Sequence, residues 1–151
     1  KTLNSSLTID NQLIFTNGII QTGANQVSLS LGALSSGASA LSYVNGNFRK
    51  VISASTALRT FEVGDAITYT PITLQFNGNT NAGGSITAYS RAGDHPSSAS
   101  AGIDGSKSVN RYWGLSNSGV TGFTDISATL NFANSEKKGF DLSRFNIANL
   151  K

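Results

Sequence analysis

The chain has 151 residues, of which 38% are apolar and only 13% charged, with a net charge of +3 and no cysteine. That length suits one domain or two small ones, and the charged share is about half of the roughly 25% usual in soluble proteins, so the surface must be covered by Ser, Thr, Asn and Gly. Disulfides and thiolate metal sites are excluded. The basic residues are scattered, with Arg49-Lys50 and Lys137-Lys138 as the only adjacent pairs, which argues against a nucleic-acid partner.

No run of 18 apolar residues is present, so no membrane-spanning helix is expected. Helical periodicity is almost absent; β-branched and aromatic residues fall in short runs between turn signals. The segment TLNSSLTID (2–10) is strand-like and polar, and no nearby hairpin signal pairs it. It is expected to pair with distant residues, of the same copy or of another. Lys1 is not a translation start, so the chain is expected to be a processed product or an excerpt. Asn4-Ser5-Ser6 matches a glycosylation sequon.

Asn-Gly pairs at 17–18, 45–46 and 77–78 have the chemistry of tight hairpin turns. Around the first lie Gln12–Thr16 and Ile19–Thr22, and around the second Ala40–Val44 and Asn47–Ile52. Gln26–Leu31 alternates, with Val27, Leu29 and Leu31 on one side. GALSSGASA (32–40) suits a corner or loop. Residues 1–55 therefore read as a short-strand, β-solenoid-like segment or a meander, without an exact repeat.

A composition shift at Ser53–Leu58 marks a boundary. Beyond it come Thr60–Val63, Tyr69–Phe76, Ser85–Arg91, Ser108–Ser116, Ile126–Phe132 and Phe145–Leu150. Pro71 marks a strand entry. These runs predict an antiparallel, Ig-like β-sandwich over 56–151, giving an all-β chain. Its expected core includes Phe61, Ile72, Leu74, Val109, Trp113 and Leu115; the last three share one face of their strand.

The stretch GDHPSSASAGIDGSKSVNRYW (93–113) holds the single histidine and the single tryptophan. Asp94-His95 near Ser97 and Ser98 invites an esterase-like reading, but there is no Gly-x-Ser-x-Gly elbow, and Gly93–Pro96 reads as a turn. One histidine without cysteine does not make a zinc site. Asp104–Asn110 has oxygens at alternating positions but lacks the glycine and terminal glutamate of a calcium loop, and Lys107 sits inside it. No metal or cofactor is expected, and Ser97–Lys107 is the loop where a partner would be read. Arg111 is expected on the inner or edge face of its strand, where it needs a carboxylate partner such as Asp94 or Asp104. Tyr89, Tyr112 and His95, with Tyr69, are candidate partner or glycan contacts.

FEVGDAITYTPITL, RAGDHP, GIDGSKSVNRYWGLSNSG and FDLSRFNIANLK, preceded by the Gly-rich segment TNGIIQTGANQVSLSLGALSSGASALSYVNGNFRK, resemble a module of large secreted surface proteins of Bacteroidetes-type bacteria. The resemblance covers nearly the whole chain, with FEVGDAITYTPI (61–72) and KSVNRYWGL (107–115) as its most specific parts. It implies an extracellular, cell-surface location, export by the type IX route, and an adhesive or filament-forming role with neighbouring copies as partners. It supplies no catalytic residue. A glycan-binding module is the alternative.

Overall fold

The computed structural model describes residues 1–55 and 57–139. The strand expected at Phe145–Leu150 lies outside the described residues. Eleven strands form among the described residues: β1 (Leu7–Ile9), β2 (Gln12–Ile14), β3 (Ile20–Leu29), β4 (Leu34–Ser36), β5 (Val44–Val51), β6 (Arg59–Phe61), β7 (Val63–Gly64), β8 (Ile72–Asn77), β9 (Ser85–Ala92), β10 (Arg111–Ser118) and β11 (Asp125–Leu130).

The fold is all-β and sandwich-like. The larger sheet runs β1-β3-β5-β9-β10, with β7 also paired to β5; a second sheet runs β11-β8-β6, and β2 and β4 form a third. Strands β1, β3 and β5 are parallel, as are β2 and β4. Leu7 lies beside Val27 and Val27 beside Phe48, so the chain stacks coils of about twenty residues, the solenoid-like arrangement. Beyond β5 most pairing is antiparallel, β9 with β5 and β10 and β8 with β6 and β11, while β7 keeps the parallel sense beside β5. The larger sheet is thus mixed, and takes strands from both sides of Ser53–Leu58.

None of the three Asn-Gly pairs makes a hairpin. Asn17-Gly18 joins strands of different sheets, as β2 pairs with β4 and β3 with β1 and β5. Asn45-Gly46 lies within β5, opposite a register shift between Gln21 and Gln26. The positive φ of Gly46 (118°) serves this irregularity and not a turn. Its place is fixed by Thr22, whose hydroxyl accepts the Asn47 N–H at 3.1 Å. Asn77-Gly78 ends β8, which pairs with β6 and β11 instead of the following strand. In each case the neighbouring coil or sheet competes successfully with the local turn. The expected strands Ile19–Thr22 and Gln26–Leu31 are accordingly one irregular strand, β3, and the expected loop at 32–40 contains β4.

Segment 2–10 pairs within the chain, Leu7, Thr8 and Ile9 lying beside Val27, Ser28 and Leu29. Strand exchange is not needed to satisfy this segment.

Alternation sets the core. Val27, Leu29, Phe48, Ile86 and Ala88 from the larger sheet meet Phe61, Ile72, Leu74 and Phe76 from the second, all in one cluster. Phe48 packs edge-on against Phe15 and Phe61, at 6.5 and 6.4 Å between ring centres. Each such fully buried side chain contributes about 1.5–3 kcal/mol before entropy is counted. Phe61, Ile72, Leu74 and Val109 are buried as expected, and Trp113 is partly buried against the cluster. Leu115 is different. It shares the inward side of β10 with Trp113 but is 43% exposed, because it lies toward the open end of that edge strand.

Candidate functional site

The three contact candidates His95, Tyr112 and Tyr89 come together on the outer face of the larger sheet. Tyr112 lies beside Arg91 in the β9–β10 ladder, and Gly114 lies beside Tyr89. Alternation therefore sends Tyr112 outward and Trp113 inward. His95 and Tyr112 meet edge-to-face at 5.0 Å, Tyr112 and Tyr89 at 6.4 Å, and the Arg91 guanidinium sits 5.0 Å from the Tyr89 ring centre. Gly114 makes the arrangement work: a Cβ there would fall 2.2 Å from Tyr89 ring carbons. The rings are half-buried and mutually perpendicular, so they offer edges and hydroxyls to a ligand more than one flat platform.

His95 itself is held in a turn. Its Nδ1 accepts the Ser97 N–H at 3.1 Å, and its carbonyl accepts the Ser98 N–H, closing the expected turn. The Asp104 loop is likewise a capped turn: the carboxylate accepts the Ser106 N–H at 2.9 Å ahead of a 3-10 turn at Gly105–Lys107. The Ser106 hydroxyl, and after it the Ser106 N–H, lower the Asp104 carboxyl, with a smaller contribution from Lys107. Among the described residues no group of three or more His, Cys, Asp or Glu is placed to hold a metal. Tyr69 is elsewhere, stacked at 5.4 Å on the buried Tyr43. Burial raises the phenols of both, reinforced by Glu62 at Tyr69 and by Asp65 at Tyr43.

Arg111 does not pair with Asp94 or Asp104. Its fully buried guanidinium donates Nε to both Glu136 oxygens at 3.0 Å, Nη1 to Ser90 Oγ at 2.8 Å, and Nη2 to Asp65 and Glu136. Asp94 instead holds Lys138 at 2.9 Å. The inward face of β10 carries Arg111 beneath the sheet, away from the outer loop that holds Asp94. Burial alone would raise the Asp65 carboxyl, but the N–H groups of Ile67 and Thr68 and the Arg111 guanidinium outweigh it and hold the carboxyl low. Burial opposes the charge of Arg111, and Glu136 and Asp65 overcome it.

A second polar cluster was not singled out by sequence. Lys50 faces the core side of β5, in alternation with Phe48, and its ammonium lies 4.9 and 5.6 Å from the Phe48 and Phe61 ring centres. It donates to Glu62 Oε2 (2.8 Å), Ser35 Oγ (2.7 Å) and the Thr60 carbonyl (2.6 Å), and Ser35 donates to Glu62 Oε1 (2.7 Å). Burial lowers the Lys50 ammonium, and Glu62 opposes this without cancelling it. The signal available in sequence was Phe48-x-Lys50-x-Ile52, a cation on an otherwise apolar strand face. This cluster floors a cleft of about 430 Å³ between β4 and β6, whose lining includes Leu34 and Leu58.

No family model matches the chain, and neither a curated protein nor a solved structure matches it.

Proposed function

We propose that the chain is a structural, adhesive module of a bacterial extracellular surface protein, and that it joins neighbouring copies or modules through β-strand pairing. The observation that carries this reading is that, among the described residues, no further strand pairs with the outer edge of β1 or of β10. The larger sheet ends in β1 and β10; neither strand contains lysine or proline, and their one charged residue, Arg111, is buried and leaves the outer edge without a charge. Soluble proteins blunt such edges with charge, proline or cover, because an open ladder recruits further strands. The low charge adds to this: copies with few like charges repel weakly.

The role is structural and not enzymatic in this reading. The test is sedimentation velocity and electron microscopy of the chain beside Thr8→Lys and Ser116→Lys, which place a cation on each edge. Concentration-dependent assembly that both substitutions suppress supports the proposal. A monomer at every concentration, or assembly indifferent to both substitutions, overturns it.

The cluster of His95, Tyr112 and Tyr89 favours a second reading, a glycan-binding module on the outer sheet face. Aromatic edges beside Arg91 suit a neutral or acidic sugar. A glycan array in which Tyr112→Ala abolishes the hits supports it; an array without hits removes it.

A further inference from the structure

We infer that the cleft between β4 and β6 is a receptor site for one extended, uncharged peptide strand of a partner protein. The cleft arises where stacked coils give way to the sandwich. β2 and β4 stack in parallel, but β6, at the corresponding place in the next coil, pairs with β8 instead. Among the described residues, two strand edges are left facing a common space of about 430 Å³.

The ladder geometry shows what those edges offer. The Leu34 N–H donates to Asn11 and the Ser36 carbonyl accepts from Phe15, so both groups point toward β2 and its flanks. Alternation turns the N–H and carbonyl of Ser35 the other way, into the cleft. On the opposite wall the Thr60 carbonyl accepts from Lys50 at 2.6 Å and is therefore turned away from β8, which turns its N–H into the cleft as well. A strand laid between them bonds Ser35 on one side and Thr60 on the other, the mode by which sheet edges capture extended peptides.

The lining defines the side chains of that strand. Lys50 and Glu62 at the floor already neutralise each other at 2.8 Å, so an inward-pointing charge finds no free counter-charge, whereas a Ser or Thr hydroxyl is accommodated. Leu34 and Leu58 flank the mouth at 65% and 63% exposure, so the outward positions favour aliphatic side chains. The occupant is thus a segment that alternates aliphatic and hydroxyl residues. This site is separate from the β1 and β10 edges and does not depend on self-association.

The probe is a seven-residue peptide, capped at both ends, alternating valine with threonine, titrated into the nitrogen-15-labelled full chain. The expected result is saturable movement of the Ser35 and Thr60 amide resonances. Binding should be lost when alternate peptide amides are N-methylated, and weakened about fivefold or more by Leu58→Asp in a chain whose spectrum is otherwise unchanged. Unmoved Ser35 and Thr60 resonances at millimolar peptide overturn the inference. So do movements confined to β1 or β10, or equal binding of the N-methylated peptide.

Discussion

Lys50 and Glu62 meet at 2.8 Å with side chains only 12% and 11% exposed, so the ion pair bridges β5 and the β6–β7 junction inside the fold. Removing one partner leaves the other charged and buried. Lys50→Met should therefore destabilise the chain by roughly 3–5 kcal/mol, whereas Lys50→Met with Glu62→Leu should recover much of that loss. Urea denaturation of the three proteins checks it. A double variant no more stable than Lys50→Met would show that packing, and not the orphaned carboxylate, sets the cost.

The same lysine gives an alkaline signature. Its folded ammonium titrates below the ordinary value of 10.5, so between the folded and unfolded values the unfolded chain binds more protons. Stability contributed by this group must then rise with pH across that window. The difference in unfolding free energy between the wild type and Lys50→Met, followed from pH 7 to 10.5, should grow in favour of the wild type as Lys50 deprotonates. A flat difference would contradict the burial of the ammonium.

Asp65 supplies an acid signature. Its folded carboxyl lies below the ordinary 3.8, so its stabilisation is complete above that value and is lost as pH falls through the folded value. Asp65→Asn should unfold with a shallower dependence on pH below 3.8 than the wild type. Arg111→Met should cost roughly 3–5 kcal/mol near neutrality, since it leaves Asp65 and Glu136 facing one another without their shared cation. Thermal unfolding across pH separates the two effects.

The sequence discloses the β class, the alternation of Ile72, Leu74 and Phe76, and the opposite facing of Tyr112 and Trp113, because each depends on residues adjacent along one strand. It does not disclose partners that meet only through stacking. Asn45-Gly46 has hairpin chemistry, yet the parallel neighbour β3 and the Thr22 hydroxyl recruit that glycine into a bulged strand. Arg111 needs a carboxylate, but its two partners lie 46 and 25 residues away, one just after β7 and one in the segment that bridges Val109. Lys50 was legible as a cation on an apolar face; Ser35 and Glu62 were not, since they belong to the preceding coil and the strand beyond.

Gly46 gives a sharp test of the coil stacking. Its φ of 118° disfavours any side chain, and a Cβ would fall 2.1 Å from Thr22 Oγ1. Gly46→Ala should cost about 2–4 kcal/mol, the sum of backbone strain and overpacking. If the clash contributes, Thr22→Gly in the Gly46→Ala background should return part of the loss, although it also removes the acceptor for the Asn47 N–H. Denaturation of both variants measures the return.

Gly114 and Tyr89 test the outer aromatic cluster in the same manner. The Tyr89 ring lies across the bare Cα of Gly114, where an added methyl would sit 2.2 Å from the ring. Gly114→Ala must therefore swing Tyr89 aside and break its edge contact with Tyr112, at a cost of about 1–3 kcal/mol. His95 makes its own edge-to-face contact with Tyr112, so that contact should survive, and its ring proton resonances should remain where they are. In Tyr89→Ala the obstruction is gone, and Gly114→Ala should then be nearly neutral. A double-mutant cycle reads the coupling directly. Additive costs would mean that Tyr89 does not rest on Gly114 in solution, and would remove the geometric basis for treating Tyr89, Tyr112 and His95 as one surface.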